Sequence, residues 1–245
     1  MAKLETMPWW WKKKKATKPK FTITPRGEDQ AASKVDLGAL APPLADYLAS
    51  SCVLTQYLAG ELARLSTEAW GSEDADHLAR ASGVAIDRYR QFRALLEDHV
   101  ADVSQALAWP RERLGSHVER FHTTRWYEAV GTCYVLTGFT RDFWHLLAQG
   151  FPGETCEKLQ EILSDQGDED LVAHVLERFL AVDDRYSSRL SLWCRRLVGD
   201  TILMCRDALS PQAMQSGDVE LRLEPVLTDV VAQHTRRLDR LGLAA

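Results

Sequence analysis

Beyond residue 36, apolar residues recur at three- and four-residue steps through most of the chain, the spacing that gives a helix one buried face. A first helix is expected from near Asp36, carrying Leu48, Cys52, Leu54, Tyr57, Leu58, Leu62 and Leu65. Trp70-Gly71-Ser72 interrupts it, and Ser72 is a suitable N-cap for a second helix bearing Leu78, Ile86, Tyr89, Phe92, Leu95, Leu96 and Val100. That helix should end before Trp109-Pro110, because the residue preceding a proline avoids helical geometry. A connecting segment over roughly 108–123 leads to a third helix over about 125–149. Gly150 is placed to cap it in the left-handed conformation, and Pro152 cannot continue it. A fourth helix is expected over about 153–182 with Leu159, Ile162, Leu163, Leu171, Val175 and Leu176 as its stripe, weakened at Gly167. A fifth covers about 186–209, and Ser210-Pro211 opens a last helical region with a break at Gly217.

Residues 1–35 show no such period and carry Pro8, Pro19, Pro25 and Gly27, so an extended arm should precede a single helical domain over 36–245. The 14 Gly and 9 Pro are too few and too clustered for a sandwich or barrel, which needs turn residues every ~8–12 positions. No stretch approaches the ~18 apolar residues of a membrane helix. The pattern describes an all-α four-helix bundle with about two additional C-terminal helices.

Charge divides the chain at the arm. The formal net charge is −5, yet eight basic residues and one acid give residues 1–26 a net +7, leaving −12 for the rest. Trp9-Trp10-Trp11 followed by Lys12-Lys13-Lys14-Lys15, with Lys18 and Lys20 beyond, concentrates aromatic rings beside ammonium groups. Three readings fit. Rings stack on bases while lysines neutralise phosphates of RNA. Alternatively, Trp sits at headgroup depth and Lys on anionic lipid at the inner membrane face. The third reading is a solubilising arm with no fixed structure. An unidentified protein partner and homo-oligomerisation remain open beside them.

Five scattered cysteines without a CxxC pair read as buried, reduced thiols, and the expected compartment is the cytoplasm. P-loop, GxGxxG, GxSxG and HExxH sequences are absent. The chemistry that suits a four-helix bundle is a di-iron carboxylate centre, which takes a Glu from each of two helices and a Glu-x-x-His pair from each of the others. Residues three apart share a helix face, so one turn offers a carboxylate and an imidazole together. The acid-x-x-His candidates are Asp74/His77, Glu119/His122 and Asp142/His145; the first two, in an exposed first turn and in the connecting segment, read as surface pairs. Among the histidines only His145 is expected on a core helix near a metal's level. Asp200, on an apolar helix face, should be partnered by Arg195 or another arginine, and Arg236, Arg237 and Arg240 complement the last helix dipole.

From about Leu37 to Leu243 the chain resembles the ferritin-like proteins related to the bacterial tRNA isopentenyladenosine hydroxylase. The resemblance rests on Trp126-Tyr127-Glu128, on Tyr134-Val135 with Asp142-Phe143-Trp144, and on the run from Arg189-Leu190-Ser191-Leu192-Trp193 to Val198-Gly199-Asp200. The terminal His234-Thr235-Arg236-Arg237-Leu238 and Leu241-Gly242-Leu243 complete it. It implies a ferritin-like bundle and, in the parent enzyme, a non-haem di-iron site that hydroxylates a prenyl group on tRNA. Carried onto this sequence, the first-helix Glu is Glu61, while the second-helix Glu and His fall on Ala85 and Arg88. The third-helix acid falls on Thr137, the fourth-helix acid is Asp165, and its His partner is replaced by Asp168. Both imidazoles are missing, and a guanidinium that keeps its proton stands where one should be. The expectation is therefore a vacated metal site without a cofactor, in a non-catalytic binding or scaffolding protein, with Arg88 bridged to Glu61 or Asp168. The alternative is an active di-iron hydroxylase acting on a modified tRNA base or another substrate.

Overall fold

Pro42 and Pro43 split the first expected helix. In the computed structural model, which describes residues 37–209 and 219–243, a single turn, α1 (Leu37–Leu40), precedes α2 (Leu44–Thr67). Trp70 and Gly71 then turn the chain into α3 (Ser72–Glu97), for which Gly71 rather than Ser72 occupies the N-cap position. These two helices pack along their length through small residues, Ala59, Ala81 and Ala85, and the Ser82 hydroxyl donates to the Ala59 carbonyl at 2.8 Å.

The segment expected to be a non-helical connection is itself a helix. Helix α3 ends at Glu97, and α4 (Val103–Phe121) follows, its first turn capped by Asp102, whose carboxylate accepts the Gln105 N–H at 3.1 Å. Pro110 lies inside α4 and deprives the Ala106 carbonyl of its helical donor, a cost of about 3 kcal/mol in an exposed helix. Burial of Leu107, Pro110, His117 and Phe121 along one stripe, with α4 packed on α2 and on the helix of residues 184–207, offsets it. Local proline preference lost to tertiary burial.

Helix α5 (Trp126–Ala148) is buried nearly all round. It is the central helix, in contact with α2 and with each of the helices that follow it in the described chain. The expected fourth helix is two: α6 (Gly153–Ser164) and α7 (Gly167–Leu180), parted at Asp165 and Gln166. Asp165 is extended there and its carboxylate accepts the Gly167 N–H at 2.8 Å, a local alternative to continuing the helix. Gly150 is not in the left-handed region; it is required because a Cβ there would lie 2.6 Å from the Leu37 carbonyl oxygen. Gly153, with φ +44°, supplies the left-handed residue instead.

Helix α8 (Asp184–Asp207) and α9 (Val219–Arg240) complete the described chain. The bundle is α2, α3, α5 and the broken α6/α7 pair, with α4 as the crossover and α8 and α9 laid on α5. Among the described residues there is no strand, and no helix is long and apolar enough to cross a membrane. The Trp/Lys arm and Ser210-Pro211 with Gly217 lie outside the described residues. Cys52, Cys133, Cys194 and Cys205 are buried free thiols and Cys156 is half-buried. Asp200 is half-buried and faces Arg120 at 3.8 Å, not Arg195.

Candidate functional site

A helix as apolar as α5 should bury nothing charged, yet it buries Glu128 near its start and Arg141 in its second half, one turn after Thr137 and beside the half-buried Asp142. Around Arg141 and Asp142 the tertiary fold assembles a layer of charge from four helices.

Arg88 comes from α3, on the stripe Ala81, Ala85, Arg88 and Phe92, and is 5% exposed. Its guanidinium grips Asp168 with two bonds, Nη1 donating to Oδ2 at 2.6 Å and Nη2 to Oδ1 at 3.0 Å. Nη2 also donates to the Asp165 carbonyl at 2.6 Å, a group left without a helical donor by the α6/α7 break. Asp168 is fully buried, and its Oδ1 also accepts the Glu169 N–H at 3.0 Å. It stands in the first turn of α7, where the positive end of the helix dipole favours an anion. The break in the fourth helix thus provides both acceptors that Arg88 needs.

Next to this pair, Arg141 Nη2 lies 2.6 Å from Glu169 Oε2. Arg237, from α9, donates through Nη1 to Asp142 Oδ2 at 2.6 Å and approaches Glu169 Oε1 with Nε at 3.7 Å. Arg141, Glu169 and Arg237 are all buried. Gly138 makes the approach possible: a Cβ there would come within 2.6 Å of Arg237 Nε and 2.9 Å of Glu169 Oε2. Burial pushes the Glu169 carboxyl up from its ordinary range, while Arg141 and Arg237 pull it back. Three guanidinium groups (Arg88, Arg141, Arg237) face three carboxylates (Asp168, Glu169, Asp142), so the layer is formally neutral. A small cavity of about 20 Å³ borders it, lined among others by Ser51, Thr55, Arg88, Thr137 and Arg141.

The sequence-derived positions separate in three dimensions. Arg88, Asp168 and the Asp165 backbone meet, with Ala85 one turn before Arg88 on α3 and Thr137 beside them on the cavity wall. Glu61 does not join them. It is half-exposed, accepts from Arg64 at 2.8 Å, and lines a different cavity with Tyr57, Phe121, His122 and Leu136. Glu61 belongs to the stripe of Tyr57 and Arg64 on α2, whereas Thr55 and Leu58 face Arg88. In the Asp142/His145 candidate the carboxylate is already engaged, accepting from Arg237. Arg237 itself is an interior ion-pair partner rather than a solvent-facing dipole complement.

Two histidines are buried, and neither is His145. His234, on the α9 stripe of Leu223, Val226, Val230 and Leu238, meets the edge of Phe139, and burial together with the nearby Arg237 charge lowers it to about 4. His117 on α4 directs Nε2 to Asp207 Oδ2 at 3.0 Å, where Arg113 also binds at 3.0 Å. Burial would raise Asp207, but the hydrogen bonds from His117 and Arg113 win and hold it below the usual carboxylate range. Among the described residues, no cluster of three or more His, Cys, Asp or Glu side chains has metal-holding geometry.

No curated protein matches the sequence. The profile of the ferritin-like domain of actinomycetes matches residues 53–214, well over half of the chain, and with the helical bundle around α5 this makes the protein a member of that ferritin-like family.

Proposed function

We propose that this ferritin-like protein is non-catalytic, a binding or scaffolding protein whose bundle centre is held by an ion-pair layer instead of metal, and whose Trp/Lys arm makes the polyanion contact. The observation that carries the reading is the buried fork of Arg88 on Asp168. Under the hydroxylase resemblance, Arg88 stands where a histidine ligand would be and Asp168 where its counterpart would be. The residues present do not fit a di-iron centre. Both Asp168 oxygens are committed to Arg88, Ala85 has no ligating atom, and Thr137 offers only a neutral hydroxyl. Glu61 lies on another cavity, and a permanent cation in the layer repels Fe²⁺. Three guanidinium groups already balance three carboxylates, so no metal charge is called for.

The arm supports the contact half of the proposal by its composition alone: Trp9 to Trp11 and Lys12 to Lys15, Lys18 and Lys20 on a chain whose remainder is strongly acidic. RNA and anionic lipid are the polyanions it suits, which would place the protein in the cytoplasm or at the inner membrane face.

Anaerobic incubation with Fe²⁺, desalting and elemental analysis test the reading. The expected result is far less than one iron per chain and no oxygen consumption on exposure to air. Two tightly held irons per chain would overturn it and favour the hydroxylase.

A further inference from the structure

Helices α3 and α7 run antiparallel along a single seam, marked by Glu73 and Asp74 against Arg178 at one end and Arg88 against Asp168 at the other. Between these ion pairs the seam holds two histidines. The rings of His77 and His174 stack with centroids 4.8 Å apart and planes 30° from parallel. This contact lies on the outside of the bundle and takes no part in the buried ion-pair layer.

A hydrogen bond decides which nitrogen the His77 ring presents. His77 Nδ1 is 2.7 Å from the Glu73 carbonyl oxygen, which can only accept, so Nδ1 carries a proton and Nε2 is the nitrogen that the neutral ring offers to a metal. His174 Nδ1 lies 3.9 Å from Glu177 Oε2, a turn further along α7, and a carboxylate placed there hydrogen-bonds the ring once it draws closer. Two nitrogens bound to one ion at ~2.0–2.1 Å each lie roughly 3–3.5 Å apart, and the two rings, 4.8 Å apart, come to it by turning out of their stack until the in-plane lone pairs converge. His174 is exposed and His77 half-buried, so an ion arrives without disturbing the core. The surrounding charge suits a cation: Glu73, Asp74 and Glu177 outnumber Arg178, which is itself tied to the first two.

We propose that His77 and His174 form a two-imidazole site for one borderline transition-metal ion of the zinc class, bridging α3 to α7, with Glu177 as the neighbouring carboxylate and water completing the shell. Imidazole suits Zn²⁺, Cu²⁺ or Ni²⁺ rather than Mg²⁺ or Ca²⁺, which take oxygen ligands. The bridge ties down α7, the half of the fourth helix that begins at the break.

Zinc chloride titrated to millimolar against the full chain, with thermal unfolding as readout, tests the site. The melting temperature should rise by roughly 5–10 °C once zinc reaches a hundredfold excess over its dissociation constant, and fall back with EDTA. Magnesium should give no such rise. His77→Gln and His174→Gln should each remove most of it; both are surface changes on a helix. No rise in the wild-type chain, or a rise that survives both substitutions, overturns the proposal. A second measurement needs no variant: in long-range ¹H–¹⁵N spectra the ring nitrogens of His77 and His174 should move first on adding zinc. Earlier movement of His99 or His122 counts against the site.

Discussion

Replacing Arg88 tests whether the ion-pair layer holds the bundle together. Arg88→Met keeps most of the apolar stem but removes three donated bonds, two to Asp168 and one to the Asp165 carbonyl. Asp168, fully buried, is then a carboxylate left with the Glu169 N–H as its donor. Breaking a buried pair from one side costs about 3–5 kcal/mol, and in a chain of this size each kcal/mol moves the melting point by roughly 2–4 °C. A fall of ~6–20 °C is therefore expected. Asp168→Asn retains an acceptor for the Glu169 N–H but strands the guanidinium, so it should cost about as much. The double variant removes both charges and should be far less damaged than the two losses added, because the pair's desolvation cost also disappears. Urea unfolding of all four proteins with shared slopes gives the coupling directly. Single losses below ~1 kcal/mol that simply add would refute the idea that this layer is a coupled interior network.

Three further outcomes follow from the same geometry. His234 titrates near 4 in the folded chain against an ordinary 6.5, so its contribution is fully present above pH 6.5 and is lost as pH falls through about 4. That loss amounts to about 3 kcal/mol, and His234→Phe should flatten the stability profile between pH 6.5 and 4; an unchanged slope would show that other groups set it. Gly138→Ala forces a methyl group against Arg237 and Glu169 and should cost about 1–3 kcal/mol while loosening α9, read as faster amide exchange in 222–240; protection equal to wild type would contradict the close approach. Deleting residues 1–30 should leave the melting temperature within a few degrees and abolish a salt-sensitive affinity for RNA or anionic vesicles, measured at low and moderate ionic strength. A large loss of cooperativity, or binding that persists, would count against a contact arm separate from the bundle.

The repeating three-and-four spacing of Leu, Val and aromatic residues is a local property, and by itself it determined the all-α class and most helix ends. The limits of α5 and α8 follow from it closely, because a buried stripe and a Gly-Pro stop act within one segment. Where a local preference competed with burial, local reading failed. Pro110 argued for a connection, but the stripe from Leu107 to Phe121 had a surface to cover. Gly167 signalled only a weak point, while the Asp165 turn separates α6 from α7 completely.

The candidate site divides along the same line. Arg88 and Asp168 came to notice through the family resemblance, as the residues at ligand positions, and the structure puts Arg88 on the buried stripe of Ala85 and Phe92. Arg141 and Asp142, interrupting the most apolar helix, were also open to notice. Which charge meets which was not: Arg88 reaches 80 residues to Asp168, and Arg237 reaches 95 to Asp142. Such pairings depend on how helices are rotated and set against one another, a choice made by the summed packing of the core. Glu61 and Arg88 illustrate it, since a rotation of one stripe on α2 is enough to send a carboxylate to a different cavity. Sequence fixes which residues share a helix face; only the assembled bundle decides which faces meet.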